Sequence, residues 1–112
     1  MDKKMIELQK ALTSRNIYNF KISSYEKYVV KIVGYNDFNN SVEIIFDGVS
    51  FIECPTKFKG AKIRFGTNEE REWLINNHTM GYMEDEERIF CFDLIGGLNK
   101  YYISSEDFDF VI

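Results

Sequence analysis

The stretch Val42-Glu43-Ile44-Ile45-Phe46-Asp47-Gly48-Val49-Ser50-Phe51-Ile52-Glu53-Cys54-Pro55 predicts two β-strands joined by a tight hairpin turn. Asp47-Gly48 suits the central positions of a type I′ turn, where both residues need positive φ, and β-branched or aromatic residues flank it. A register slip of one residue would bury Glu43 and Asp47, so the register is well specified. The apolar side of this hairpin is therefore predicted to face the core: Val42, Ile44, Phe46, Val49 and Phe51.

The composition is typical of one globular domain over residues 1–112. Hydrophobic residues make up 45% of the chain and charged residues 29%, and a single proline and no low-complexity tract leave no candidate linker. The amino-terminal segment lacks the apolar region of a secretory signal, and no apolar run approaches the ~20 residues that span a bilayer. We therefore expect a cytoplasmic protein with no membrane segment, and frequent Asn, Ile, Lys and Tyr indicate a bacterial source.

The net charge of −4 is unevenly distributed along the chain. Residues 84–112 hold eight acids against two bases, whereas residues 1–83 hold ten acids against twelve bases. An acidic end disfavours nucleic acid as a partner and favours a basic protein surface, because long-range potential acts on association.

Periodicity and capping residues predict an α+β fold. Asp2 can cap an amphipathic helix over 3–15, and Thr67 with Glu70 forms a capping box at the start of a short helix over 68–78. Besides the hairpin, strands are predicted at 17–22, ended by Ser23-Ser24, and at 25–35, 61–65, 89–94, 100–103 and 108–112. Short connections favour antiparallel pairing. We expect a single curved, mainly antiparallel sheet of about six strands, with the first helix packed on one face.

Few residues offer catalytic chemistry. His78 is the only histidine and lies where a short helix ends, which favours a structural or surface role. Cys54 and Cys91 match no metal spacing and precede no predicted helix, so a buried apolar role is expected for both. Trp73 is predicted to be a partly buried core residue or an interface anchor. We predict no catalytic residue, no cofactor and no metal.

Two charged segments allow alternative interpretations. The run Glu84-Asp85-Glu86-Glu87 is either a solvated loop or part of a protein-binding surface, and it lacks the alternating oxygen ligands of a calcium loop. Residues 57–65 interleave basic and aromatic residues as some RNA-binding strands do. Alternation of core and solvent positions on an edge strand explains that pattern more simply, and the acidic balance argues against nucleic acid.

The sequence Ile45-Phe46-Asp47-Gly48-Val49-Ser50-Phe51-Ile52-Glu53-Cys54-Pro55, with acidic strand ends and a mid-chain helix, resembles segments of small bacterial proteins, some of which are similar to immunity proteins of toxin systems. The resemblance covers roughly residues 40–103 and includes no catalytic motif. It implies a stoichiometric binder that occludes its partner.

The leading hypothesis is a non-enzymatic protein-interaction module, of immunity type, that binds a basic partner through an acidic, aromatic surface. Its candidate residues are Glu84, Asp85, Glu86, Glu87, Tyr101, Tyr102, Glu106, Asp107 and Asp109. The alternative is a small-ligand-binding or enzymatic domain with a pocket between the first helix and the sheet, near His78 or Cys91. Monomer and homodimer both stay open, the latter through edge strand 108–112.

Overall fold

The computed structural model describes residues 2–77 and 87–112, which contain two helices and nine strands. The elements are α1 Lys3–Ser14, β1 Asn19–Glu26, β2 Val29–Tyr35, β3 Ser41–Asp47, β4 Phe51–Glu53, β5 Lys57–Phe58, β6 Ala61–Phe65, α2 Asn68–Asn77, β7 Arg88–Leu94, β8 Lys100–Ser105 and β9 Asp107–Val111. The strands form a five-stranded antiparallel sheet in the order β5-β1-β2-β3-β9 and a four-stranded one in the order β4-β8-β7-β6. The α+β class is confirmed, but the single sheet of about six strands is wrong.

The predicted Asp47-Gly48 hairpin is wrong, because β3 pairs with β2 on one edge and β9 on the other and leaves no edge for β4. Gly48 has a φ of +68°, but Asp47 does not adopt positive φ. The Val49 N–H donates to the carbonyl of Tyr28 at 2.8 Å, and the Ser50 N–H donates to that of Ser104 at 3.0 Å. The chain therefore crosses from the five-stranded sheet to the four-stranded sheet at this point.

A second crossing lies beside the first. Glu106 alone separates β8, in the four-stranded sheet, from β9, in the five-stranded sheet. Its N–H is shared between the carbonyls of Asp47 at 3.1 Å and Gly48 at 3.3 Å. A Cβ on Gly48 would lie 2.9 Å from Glu106 Cγ, so the close approach of the two crossings requires glycine.

The two-residue hairpin lies instead at Lys27-Tyr28, between β1 and β2. These residues have φ values of +51° and +66°, and Glu26 pairs with Val29 across the turn, as in type I′ geometry. The predicted strand over 25–35 is therefore two strands. The predicted break at Ser23-Ser24 is a β-bulge, with the register shifting between Ile22 and Ser24.

The main core lies between the inner faces of the two sheets. Phe46 of the five-stranded sheet meets Phe90 of the four-stranded sheet edge to face, with ring centroids 4.9 Å apart, and Phe20 meets Phe92 at 5.1 Å. Of the predicted core residues, Val42, Ile44, Phe46 and Val49 are buried here, whereas Phe51 is half-buried and packs in a separate cluster.

The two helices extend this packing on different sides of the molecule. Met5, Leu8 and Leu12 of α1 join the main core, and Gln9 Nε2 donates to the Ile63 carbonyl of edge strand β6 at 2.9 Å. On the outer face of the four-stranded sheet, Leu74 of α2 packs with Ile89, Cys91 and Tyr102. Strand β7 is thus covered on both faces, which explains its continuous apolar run.

Both predicted helix starts are confirmed. Asp2 Oδ1 accepts the N–H of Lys4 at 2.8 Å, and Thr67 and Glu70 exchange backbone and side-chain hydrogen bonds at 2.8 and 3.1 Å. Within the described ranges, neither helix has the length and apolarity needed to cross a membrane.

Candidate functional site

A surface depression of about 510 Å³ lies at the end of the sandwich where the two crossings meet. We call it the acidic corner; its lining residues are Lys27, Tyr28, Asp47, Gly48, Val49, Ser50, Glu87 and Glu106. Three of these residues are acidic and one is a lysine, so the corner is net acidic. Residues from four separate parts of the chain form it, and only the fold brings them together.

Tyr28 is the exposed aromatic residue of the acidic corner. Its side chain is 72% exposed, and its φ of +66° is one that a bulky residue rarely adopts. A left-handed conformation disfavours a non-glycine residue by roughly 1–2 kcal/mol, and Asn-Gly would form the same turn with less strain. Tyr28 therefore combines backbone strain with solvent exposure, and neither is explained by packing.

The acidic corner brings together Glu87 and Glu106, one residue from each of the two acidic segments that the sequence singles out. Glu87 is only 7% exposed, and its carbonyl accepts a hydrogen bond from Arg71 Nη1. Glu106 is exposed in the second crossing. Asp47 is exposed and pairs directly with Asp107 across β3 and β9, so two like charges lie opposite one another. The predicted residues Glu84, Asp85 and Glu86 lie outside the described residues.

The predicted aromatic pair does not belong to this surface. Adjacent residues of a strand point to opposite faces, so Tyr101 and Tyr102 separate on β8. Tyr101 is half-buried against Phe58, with ring centroids 5.1 Å apart. Tyr102 is 8% exposed, and its hydroxyl donates to Glu70 Oε2 at 3.1 Å. Neither tyrosine is an exposed anchor, and this part of the predicted binding surface is wrong.

Asp107 and Asp109 are exposed on β9, which is an edge strand as predicted. Their Oδ1 atoms accept the N–H groups of Phe108 at 2.8 Å and Phe110 at 2.9 Å. Lys4 Nζ donates to the Phe108 carbonyl at 2.9 Å. Side chains of this chain thus occupy backbone groups that an added strand would need, which weakens the case for a homodimer through this edge.

A second polar cluster connects α2 to the four-stranded sheet through Arg64. The guanidinium donates to Glu70 at 2.7 and 3.0 Å, to Asp93 at 2.6 and 3.1 Å and to the Phe65 carbonyl at 3.0 Å. Every N–H group of Arg64 is thereby used. The hydrogen bonds from Arg64 lower the pKa of Glu70 to about 2, and those to Glu70 and Asp93 raise the pKa of Arg64. The cluster therefore anchors α2 to the four-stranded sheet, and Arg64 has no free donor for an anionic ligand.

A shallow surface depression next to this cluster, about 460 Å³ in volume, is lined partly by Lys100 and the exposed Trp73. Lys100 Nζ lies 3.6 Å from Glu70 Oε2, and the Tyr102 hydroxyl donates to the same oxygen. Trp73 lies 6.5 Å, between ring centroids, from Tyr102. Lys100 and Tyr102 of β8 both bind Glu70 of α2, so these polar groups hold the helix against the sheet.

The two cysteines do not support thiolate chemistry. Burial, together with the nearby Asp93 and Glu70 carboxylates, raises the pKa of the Cys91 thiol to about 12. Burial raises the pKa of Cys54 to about 11. Both thiols are therefore protonated near neutral pH. His78 lies outside the described residues, and within 2–77 and 87–112 no cluster of His, Cys, Asp and Glu could hold a metal ion.

A groove of about 330 Å³ lies between α1 and edge strand β6, where the sequence predicts a pocket beside the first helix. The buried side chains of Leu12, Ile17, Ala61 and Ile63 contribute to its lining. Cys91 does not line it, so the predicted proximity to this cysteine is not observed. At its polar end lie Arg64 and Asp93, which are bound to each other.

The sequence indicated Glu87 and Glu106 as binding residues, but neither Asp47, predicted as a turn residue, nor the aromatic residue Tyr28. Lys27-Tyr28 is not a typical type I′ turn, and Tyr28 fits the alternation of an uninterrupted strand over 25–35. The exposure of Tyr25 and Tyr28 becomes apparent only in the folded structure.

Comparison with known proteins supplies no template for the acidic corner. No protein-family model matches the chain, and no curated protein and no solved structure matches it significantly. The function has to be inferred from the chain's own residues and their geometry.

Proposed function

We propose that this chain is a non-enzymatic protein-interaction module that binds a basic segment of a partner protein at the acidic corner. The observation that carries the proposal is Tyr28, a strained and 72% exposed aromatic side chain that lines the same depression as Asp47, Glu87 and Glu106. Backbone strain is retained in proteins mainly where the side chain has a use, and aromatic residues dominate binding hot spots.

The chemistry of the acidic corner favours a lysine or arginine side chain of the partner. Such a side chain attracts carboxylates at its charged end and stacks on a tyrosine ring, which contributes roughly 0.5–2 kcal/mol through a cation–π contact. The acidic residues 84–86 directly precede Glu87 in the sequence, and Glu87 lines the acidic corner. The excess of negative charge would accelerate encounter with a basic protein and make that encounter sensitive to salt.

The resemblance to immunity proteins suggests a narrower form of this proposal. In that form the partner is a toxin, and the chain inhibits it stoichiometrically by covering a basic surface. Inhibition in a one-to-one complex, lost when the corner is neutralised, supports the narrower form. Binding without any effect on the partner's activity limits the proposal to an interaction module.

The groove between α1 and β6 favours a second candidate, a small apolar ligand. Its concave shape and buried apolar lining suit such a molecule. Its polar end is occupied by the Arg64–Asp93 ion pair, so few groups are left to orient a ligand. Thr13→Phe, at the exposed margin of the groove, would block this site and leave the acidic corner intact, which separates the two candidates.

Affinity capture from cells that naturally produce the chain, followed by binding kinetics, tests the leading proposal. The corner variant carries Asp47→Asn and Glu106→Gln, both at exposed positions. We expect the partner's association rate to fall at least about tenfold at low salt and the salt dependence to flatten, because steering depends on these charges. Tyr28→Ala should raise the dissociation rate instead, since an anchor acts after encounter.

A matched control carries Glu69→Gln and Glu72→Gln, which remove the same net charge at exposed positions of α2. This control should bind the partner as the unmodified chain does. If the control and the corner variant slow association equally, only overall charge matters and the acidic corner is not the binding site. If neither the corner variant nor Tyr28→Ala changes the partner's association or dissociation rate, the proposal is wrong.

A further inference from the structure

The groove between α1 and β6 has an apolar floor that both elements help to build. Leu12 lies near the end of α1, Ile17 follows in the connection to β1, and Ala61 and Ile63 lie on the core-facing side of β6. All four are buried and line the groove. Strand β6 is the edge of its sheet, so its core-facing and outward-facing residues both border the groove. The groove therefore combines an apolar floor with a polar rim.

The backbone of β6 is already bonded along this edge. The Ala61 N–H donates to the carbonyl of Tyr18 at 2.8 Å, and the Ile63 carbonyl accepts from Gln9 Nε2 at 2.9 Å. A peptide that bound by adding a strand to the sheet would need these backbone groups. The edge therefore favours a small molecule over an extended peptide as the occupant of the groove.

One lining residue of the groove carries a charge that forms no ion pair within the described ranges. Arg64 and Asp93 bind each other through two hydrogen bonds, at 2.6 and 3.1 Å, and the other Arg64 donors go to Glu70 and to a backbone carbonyl. Lys62 lies directly opposite Asp93 across β6 and β7, but among the residues at 2–77 and 87–112 it has no ion-pair partner. Its ammonium group lies 5.9 Å from the ring centroid of Tyr18, which also lines the groove. A positive charge is therefore available at the rim.

We propose that the groove binds a small amphipathic carboxylate, whose apolar body packs on the floor and whose carboxylate accepts hydrogen bonds from Lys62. The proposal deepens the second candidate function and rests on it, because the groove must first accept an apolar molecule. A carboxylate forms stronger, charge-assisted hydrogen bonds with an ammonium group than a neutral head group does. Lys62 would repel a cationic head group, and Asp93 could not compensate because Arg64 already binds its carboxylate.

The size of the groove sets the expected size and affinity of the ligand. A volume of about 330 Å³ lies at the lower end of small-molecule sites, so the apolar body should be short. Each methylene group that becomes buried on the floor should tighten binding roughly threefold. The ion pair at the exposed Lys62 should contribute a further factor of about two to five. For a ligand as small as octanoate we expect a dissociation constant of about 1 mM.

An NMR titration of the isotopically labelled chain with octanoate, octanol and octylammonium tests the proposal, because these probes share one apolar body and differ in the charge of the head group. Octanoate should shift the amides of residues 9–13, 17–18 and 61–64, and octylammonium should bind at least about fivefold more weakly. Lys62→Gln should weaken octanoate binding about two- to fivefold and leave octanol binding unchanged. The matched control Lys59→Gln removes an exposed lysine that does not line the groove and should change neither.

Thr13→Phe should abolish the shifts caused by all three probes, because it fills the groove from its exposed margin. Shifts that persist in this variant place the binding elsewhere and overturn the proposal. Should its own amide spectrum show a disturbed fold, Lys62→Gln and the comparison of head groups decide the question. If octanol and octylammonium bind as tightly as octanoate, or Lys62→Gln leaves octanoate binding unaffected, the selectivity for a carboxylate is wrong but the apolar ligand of the second candidate function stands. If no probe shifts the groove amides, both are wrong.

Discussion

The backbone N–H of Glu106 donates to the carbonyl of Asp47 at 3.1 Å, and this hydrogen bond joins the two adjacent crossings between the sheets. One crossing leaves β3 and the other enters β9, the strand that pairs with β3. The same contact places two carboxylates at one corner of the sandwich. The architecture of the sheets and the proposed binding surface therefore depend on the same few residues.

Gly48→Ala should destabilise the protein by about 2–3 kcal/mol, combining left-handed strain with a clash against Glu106. Gly48 has a φ of +68°, and an added Cβ would lie 2.9 Å from both Cγ and Cδ of Glu106. Urea unfolding followed by circular dichroism measures the change in the free energy of unfolding.

Gly96→Ala is the matched control for this substitution. Gly96 has a φ of +75°, but an added Cβ would meet no atom within 4 Å, so this variant should show the strain without the clash, about 1 kcal/mol. Equal losses for the two alanine variants would show that the approach of Glu106 to Gly48 is unimportant for stability.

Replacing Lys27-Tyr28 with Asn-Gly should stabilise the folded chain by about 1 kcal/mol, because Asn-Gly adopts type I′ geometry with little strain. The same change removes the aromatic group of the acidic corner and should weaken partner binding. Thermal unfolding measures the first effect. Leu98→Gly, at an exposed turn residue without positive φ, should bring no gain. A loss of stability in the Asn-Gly variant would show that Tyr28 contributes to folding and is not retained for binding.

Local sequence signals predicted elements better than they predicted their partners. Helix caps depend on neighbouring residues, so Asp2 and the Thr67–Glu70 box were confirmed. The pairing of β3 is decided by a distant part of the chain. Strand β9 follows some 60 residues later and pairs with the edge of β3 that β4 would have occupied in an Asp47-Gly48 hairpin. Tertiary pairing therefore overrode a strong local turn preference.

The Glu70 carboxylate should make stability fall on acidification. Its pKa is lowered from an ordinary 4.5 to about 2, so its stabilising contribution is complete above pH 4.5 and is lost as the pH falls toward 2. A shift of this size corresponds to at most about 3 kcal/mol. Glu70→Gln should lower the free energy of unfolding at pH 7, and the difference from the unmodified chain should shrink across that interval. Glu72→Gln, at an exposed position on the same helix, should show no such convergence.

Native Cys91 should resist alkylation at pH 8, because its thiol is buried and its pKa is raised to about 12. Iodoacetamide labelling followed by mass spectrometry should show modification of Cys91 only at the rate of unfolding. Cys54, half-buried with a pKa raised to about 11, should also react more slowly than a free thiol. Rapid labelling of Cys91 in the folded protein would contradict this prediction and would favour an enzymatic role for this residue.

Two acids of the candidate site, Glu87 and Glu106, were visible in the sequence because charge imbalance is a property of composition, whereas Asp47 was predicted only as a turn residue. The aromatic residue of the site was not visible, because exposure depends on the neighbours that folding supplies. Tyr102 is covered by α2 and bound to Glu70, whereas Tyr28 projects from a turn. Both occur in segments with alternating strand patterns, and only tertiary packing distinguishes them.

The most direct test of the proposed binding role is an NMR titration of the isotopically labelled chain with a short arginine-rich peptide. We predict that amide shifts at low salt concentrate at Lys27-Tyr28, at the first crossing of residues 47–50, and at Glu87 and Glu106. The shifts should shrink strongly when Asp47→Asn and Glu106→Gln are combined, and remain with Glu69→Gln and Glu72→Gln. Shifts spread evenly over all exposed acids, or centred on α2, would contradict the assignment of the acidic corner as the binding site.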